Sequence, residues 1–253
     1  MRVLTIGNSF SDDTMQYVYD IAKSIGGADN LYLGNLFYGG CTISQHLDFY
    51  KEKSAVYEYR KNGGDGWQTK LESTVFDALL DGEWDIISFQ QASGFSGKEE
   101  SYDMLPELMS LVRKVVGEKP KFVWNMTWAY SSTSDHPHFE WYEKDQFKMY
   151  GAICSAVKNK VLTLEEITAV SPCGMAVQNA RQTGLNGVGY ELTRDGFHLD
   201  LGAGRLVAGL TFTKSILGLD IEKCAFKPDG VTDEMLENAI ESALKAVENS
   251  IVR

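Results

Sequence analysis

Arg2-Val3-Leu4-Thr5-Ile6-Gly7-Asn8-Ser9-Phe10-Ser11-Asp12 is the stretch on which the fold turns. Val3, Leu4 and Ile6 run straight into Gly7-Asn8-Ser9. The helix-starting residues Ser11 and Asp12 follow at once, ahead of Met15 and Val18. The pattern predicts a buried strand over 2–7, a sharp turn and a helix N-terminus. Ser9 then stands beside backbone N–H groups that no helical turn satisfies, at the positive end of a helix dipole. That place suits a nucleophile whose attack leaves negative charge on a nearby oxygen. A capping role suits Ser9 or Ser11 as well.

Working outward, Met15, Val18, Ile21, Ala22 and Ile25 fall at helical spacing over 12–25, and Gly26-Gly27 ends that helix. Residues 31–38 predict a second strand, followed by Gly39-Gly40-Cys41-Thr42. A small hairpin is expected as an insertion around 54–71, turning at Asn62-Gly63-Gly64-Asp65-Gly66. Further strands are expected over 85–90, 121–127 and 167–171. Helices are expected from Ser73 to Leu80 and over 101–116, 139–158, 172–181, 201–217 and 232–249. Strands alternating with helices predict a parallel sheet covered on both faces. With no linker or repeat, residues 1–253 read as one domain. Ligands of such sheets bind at the carboxyl ends of the strands. Ser9, Gly40, Gln91 and Trp128 each follow a strand and are expected to meet at that edge.

Composition narrows the function. A net charge of −11 opposes binding to nucleic acid or an anionic membrane surface. No apolar run is long enough for membrane insertion. The four cysteines, Cys41, Cys154, Cys173 and Cys224, are scattered and suggest neither a zinc site nor a disulfide frame. The N-terminus lacks a signal-peptide pattern, so a cytoplasmic location is expected for the sequence as given, and a secreted or periplasmic one if a leader was removed.

A second stretch, Arg194-Asp195-Gly196-Phe197-His198-Leu199-Asp200, carries the other chemistry. The Asp-x-x-His spacing lets one irregular turn set a carboxylate against one nitrogen of an imidazole. The other nitrogen stays free to take a proton from a hydroxyl. The alternative is that His198 packs or caps at the start of the last helices, and Asp200 competes with Asp195 as its acid. His136 and His138, in a short Pro loop, read as solvated or substrate-lining rather than as metal ligands.

Gly7-Asn8-Ser9-Phe10-Ser11, Gly40 and Asp195-x-x-His198, in that order, resemble the sequence blocks of the SGNH (GDSL-like) hydrolases. The resemblance implies an α/β fold, a three-layer α/β/α sandwich with a flavodoxin-like parallel sheet. It implies a serine esterase with the triad Ser9, His198 and Asp195, no cofactor, and oxyanion donors from the Ser9 and Gly40 backbone and a third-block amide. The usual third block is replaced by Phe89-Gln90-Gln91-Ala92-Ser93, which is similar to a carbohydrate-esterase-like branch. Gln91 is expected to be the side-chain donor, with Gln90 as the alternative. Trp128 and Tyr130 are candidates for stacking on a sugar, as are Trp67 and Trp141. The expected substrate is a short acyl ester, acetyl above all, of a small molecule or carbohydrate. A lipase or lysophospholipase, and a non-catalytic carbohydrate-binding protein on a decayed hydrolase fold, are the alternatives.

Overall fold

Five strands run parallel: β1 (Arg2–Gly7), β2 (Tyr32–Phe37), and, after a hairpin, three more. The hairpin consists of β3 (Tyr57–Asn62) and β4 (Gln68–Ser73). The remaining parallel strands are β5 (Ile86–Phe89), β6 (Lys121–Asn125) and β7 (Ile167–Ser171). These come from a computed structural model that describes residues 1–250. The sheet order is β4-β3-β2-β1-β5-β6-β7. Its parallel part has the flavodoxin-like arrangement, and the order reverses between β1 and β5. The crevice at the carboxyl ends of the strands therefore opens beside Ser9.

The sheet is mixed rather than wholly parallel. β3 pairs antiparallel with β2, and β4 with β3. Connection length is the reason for the β3–β4 pairing: only residues 63–67 join the two, and a parallel pairing needs a crossover of a dozen residues or more.

The helices are α1 (Ser9–Met15), α2 (Val18–Ser24), α3 (Ile43–Glu52), α4 (Val75–Leu79), α5 (Leu105–Val116), α6 (Gln146–Ala156), α7 (Cys173–Ala180), α8 (Ala203–Ser215) and α9 (Asp233–Glu248). α8 packs against α1, α2, α7 and α9, whereas α3, α4 and α5 pack together. The sheet lies between, giving three layers. Period-two alternation along β1 feeds both cores. Leu4 and Ile6 join Ile87, Phe89 and Trp124, while Val3 joins Leu33, Val123 and Phe212. No helix among the described residues is long and apolar enough to cross a membrane.

Two expected helices are interrupted. The 12–25 helix breaks at Gln16-Tyr17, where Tyr17 leaves helical backbone (φ −110°, ψ 2°). The 139–158 helix is a tight 3-10 turn over Pro137–Tyr142, then α6, whose N-cap Asp145 accepts from the N–H groups of Phe147 and Lys148.

α7 approaches the end of β6 at Gly174, where a Cβ would stand 2.1 Å from the carbonyl oxygen of Thr127. Gly174→Ala is therefore expected to lower stability by about 2 kcal/mol. A urea unfolding midpoint equal to that of the wild type would refute this.

Candidate active site

Asn8 sets the turn that presents Ser9. Its backbone is extended, and its Oδ1 accepts from Phe10 N (3.0 Å), so Asn8 is the N-cap of α1. This corrects the capping role expected for Ser11. The Ser11 hydroxyl is buried and lies 2.8 Å from both Asn8 O and Asn35 Oδ1. Asn8 Nδ2 donates to Cys41 O (2.9 Å), which fastens the turn after β2 to the turn after β1. That second turn, Tyr38 to Cys41, closes through Cys41 N to Tyr38 O (3.1 Å), with Gly40 at φ +67°. Gly40 is exposed and Ser9 is half-buried. The N–H groups of Ser9 and Gly40 make no hydrogen bond among the described residues.

His198 Nε2 lies 2.8 Å from Ser9 Oγ, and His198 Nδ1 lies 2.6 Å from Asp195 Oδ2. The Asp-x-x-His turn builds this arrangement locally. Asp195 Oδ1 accepts from His198 N (2.8 Å) and Phe197 N (3.2 Å), leaving Oδ2 for the ring. Gly196 supplies the backbone at φ +89°, a conformation that side chains with a Cβ rarely adopt. Burial pushes the Asp195 carboxyl up, but hydrogen bonds from the His198 ring and backbone outweigh it, and the net direction is down. The group is therefore an acceptor-only carboxylate at neutral pH. Asp200 does something else. Its oxygens accept from Gly202 N and Gly204 N, both at 2.7 Å, at the start of α8.

The loop is held from two sides. Ser131 N donates to Gly196 O (2.8 Å) and Trp128 Nε1 to Phe197 O (2.8 Å). Trp128 has no exposed surface and lies flat on Phe10, ring centroids 4.2 Å apart. Tyr130 is equally buried, and its hydroxyl lies 2.8 Å from Ser93 Oγ. Neither ring can stack on a sugar, so the expected role of both is corrected: they position loops. Apolar burial explains this, since Trp128 lies on Phe10 and Tyr130 meets Phe139 and Phe197.

The glutamines are corrected too. Gln91 Oε1 accepts from Ile43 N (3.1 Å) and Ala92 N (2.8 Å), and its Nε2 donates to Ser101 O (2.8 Å) and Ser101 Oγ (2.9 Å). Two backbone donors on one end and a carbonyl on the other fix the amide orientation. Both amide protons are engaged, so Gln91 has none for an oxyanion. Gln90 lies between Asn8 Oδ1 (2.8 Å) and Asn125 Nδ2 (3.1 Å) and supports the Ser9 turn from beneath.

Asp13 is the residue that sequence reading missed. Its side chain has no exposed surface. Oδ1 accepts from Arg205 Nε (2.8 Å) and Arg194 Nη1 (3.0 Å), and Oδ2 from Leu199 N (2.9 Å). It thus ties α1 to the residues flanking His198. Burial pushes its carboxyl above the usual value, against the pull of Arg205 and Arg194. The adjacent acids Asp12-Asp13, one turn into a helix that starts at the candidate nucleophile, were the available signal. Arg194 is engaged in this pairing. Arg181 is buried and donates to Glu191 O.

A cavity of about 450 Å³ opens against Thr42 and Gln91. Thr42, Ser44, Gln91 and Ser101 form its polar side, and Phe95 and Trp141, with Lys98 and Glu100, form its rim. No residue of the Ser9–His198–Asp195 group lines it.

The fold is an α/β fold that matches that of SGNH hydrolases. The chain belongs to the family described as a domain of unknown function, DUF4886, which matches residues 2–246. A crystal structure of a DUF4886 family protein from Bacteroides uniformis is 34% identical, covers 100% of this chain and 97% of its own, and superposes with a TM-score of 0.92. A putative SGNH hydrolase from Slackia heliotrinireducens is 17% identical over 85% of this chain and 98% of its own (TM-score 0.52). A catalytic mutant of an acetylxylan esterase from Geobacillus stearothermophilus is 12% identical over 87% and 95% (TM-score 0.56). No curated protein matches the chain.

Asp13→Ala would leave two guanidinium groups and the Leu199 N–H without their shared acceptor. The expected loss is about 3 kcal/mol of unfolding free energy, read as a lower urea midpoint. A midpoint shift corresponding to less than about 1 kcal/mol would show that the contacts are worth no more than surface pairs.

Proposed function

We propose that this protein is a serine ester hydrolase acting on short acyl esters, acetyl above all, carried by a carbohydrate. The observation that carries the reading is the unbroken chain from Ser9 Oγ through the His198 ring to the Asp195 carboxylate, at 2.8 and 2.6 Å. It stands where the strand order reverses, next to two unengaged N–H groups. The acetyl group is the acyl size to test first, because one of the structures sharing the fold is that of an acetylxylan esterase.

In the proposed mechanism, His198 takes the Ser9 proton through Nε2 as Ser9 Oγ attacks the ester carbonyl. Asp195 holds the ring in the tautomer with its proton on Nδ1 and stabilises the imidazolium. The carbonyl oxygen becomes an oxyanion facing the N–H groups of Ser9 and Gly40 and the N-terminus of α1. His198 then protonates the departing alcohol. Water, deprotonated by the same ring, attacks the acyl-enzyme, and Ser9 recovers its proton as the carboxylic acid leaves.

Ser9→Ala is expected to lower turnover of p-nitrophenyl acetate by roughly 1,000-fold or more, and Asp195→Asn by on the order of 100-fold or more. Equal rates for wild type and Ser9→Ala, measured as p-nitrophenol release, would sink the proposal. Faster cleavage of the octanoyl than of the acetyl ester would move the substrate to lipids.

A further inference from the structure

We propose that the cavity rimmed by Phe95 and Trp141 is the subsite for the alcohol half of the substrate, and that it selects a neutral, polyhydroxylated ring. This rests on the esterase reading and adds to it the residues that choose the alcohol.

The cavity is tied to the candidate active site on two sides, through chain neighbours of Asn8's partners and through a row of packed rings. Its polar side contains Thr42 and Gln91. Each is the next residue in the chain after a hydrogen-bond partner of Asn8, Cys41 in one case and Gln90 in the other. Asn8 in turn precedes Ser9. On the rim, a ladder of rings runs back to His198. Trp141 stacks on His138 with centroids 4.0 Å apart and planes 15° from parallel. His138 meets His136 at 4.9 Å, His136 meets Phe197 at 4.7 Å, and Phe197 meets His198 at 4.2 Å. The rim is thus fixed relative to the imidazole by continuous packing.

The chemistry of the lining decides the ligand class. Trp141 is 42% exposed, with one face covered by His138. Lys98 Nζ stands 5.7 Å from the Trp141 ring centroid. Neither Lys98 nor Glu100 has an ion-pair partner among the described residues, and the Ser44 hydroxyl has no hydrogen bond there. An aliphatic chain in this cavity would strip water from an ammonium and a carboxylate and give nothing back. An anion would meet Glu100, and a cation Lys98. A sugar ring fits all three demands: its C–H face lies on an aromatic ring, and its hydroxyls donate to a carboxylate and accept from an ammonium. The volume is in the range of small-molecule sites.

The test compares monoacetylated methyl glycosides of xylose, glucose and N-acetylglucosamine with cyclohexyl acetate, which has a ring but no hydroxyls, and with p-nitrophenyl acetate. The wild type is expected to favour at least one glycoside over cyclohexyl acetate in kcat/KM. Trp141→Ala and Glu100→Gln are each expected to lower the ratio of glycoside to p-nitrophenyl acetate kcat/KM about tenfold, mainly through KM. A preference for cyclohexyl acetate, or equal losses on both substrates, overturns the subsite. If the wild type cleaves no ester, the esterase reading fails by itself. The subsite is then judged by quenching of tryptophan fluorescence with the unacetylated methyl glycosides. Quenching that Glu100→Gln weakens supports it, and no quenching by any of the three overturns it.

Discussion

The buried carboxylate of Asp13 joins the two ends of the chain. Its guanidinium partners lie 181 and 192 residues away in sequence, and a third contact goes to the backbone of Leu199. A carboxylate withdrawn from water is costly, and here two cations and an amide offset that cost. The neighbouring Asp12 extends the same system: it pairs with Arg60 on β3 and stands 3.7 Å from Arg205. One short helix therefore fixes the edge hairpin, α8 and the His198 loop together. The gap between Ser9 Oγ and His198 Nε2 depends on that coupling, because the two residues share no element.

A neutral polar network does the corresponding work beneath Ser9. Asn125 Nδ2 reaches Gln90 Oε1 (3.1 Å) and Thr14 Oγ1 (3.2 Å), Gln90 reaches Asn8, and Asn8 reaches Cys41. An aspartate at position 8 could accept but could not donate to the Cys41 carbonyl. The asparagine is thus what lets one side chain cap α1 and hold the Gly40 turn. Buried networks of this kind hold their geometry only while their members remain paired.

Local pattern made much of this legible. Strand–turn–helix at Ser9, the Asp-x-x-His turn and the alternation of strands and helices are short-range signals, and the structure carries each of them. What could not be read was side-chain direction. Gln91 and Trp128 stand at the expected edge of the sheet, yet both, like Tyr130, are buried. Sequence position fixes the end of a strand but not whether the next residue meets backbone partners, as Gln91 does, or an apolar wall, as Trp128 does. Asp13 was hidden for a related reason: charge on a helix usually means a solvated face, and its partners lie at the far end of the chain. The hairpin over 54–71 is legible from its glycine-rich turn, but its antiparallel joining to β2 is not, because that pairing is a long-range contact.

The ring ladder also bears on the charge of the site. Burial lowers the pKa of His136, with the charges of His138 and His198 adding to the shift, and burial alone lowers that of His138. Both rings are therefore uncharged at neutral pH. The interaction is reciprocal: a cation on His136 would oppose a cation on His198. In the proposed mechanism His198 must become an imidazolium, with Asp195 as its counter-charge. Keeping the ladder neutral leaves that attraction unopposed. The same packing that fixes Trp141 relative to His198 thus sets no second cation beside the His198–Asp195 pair.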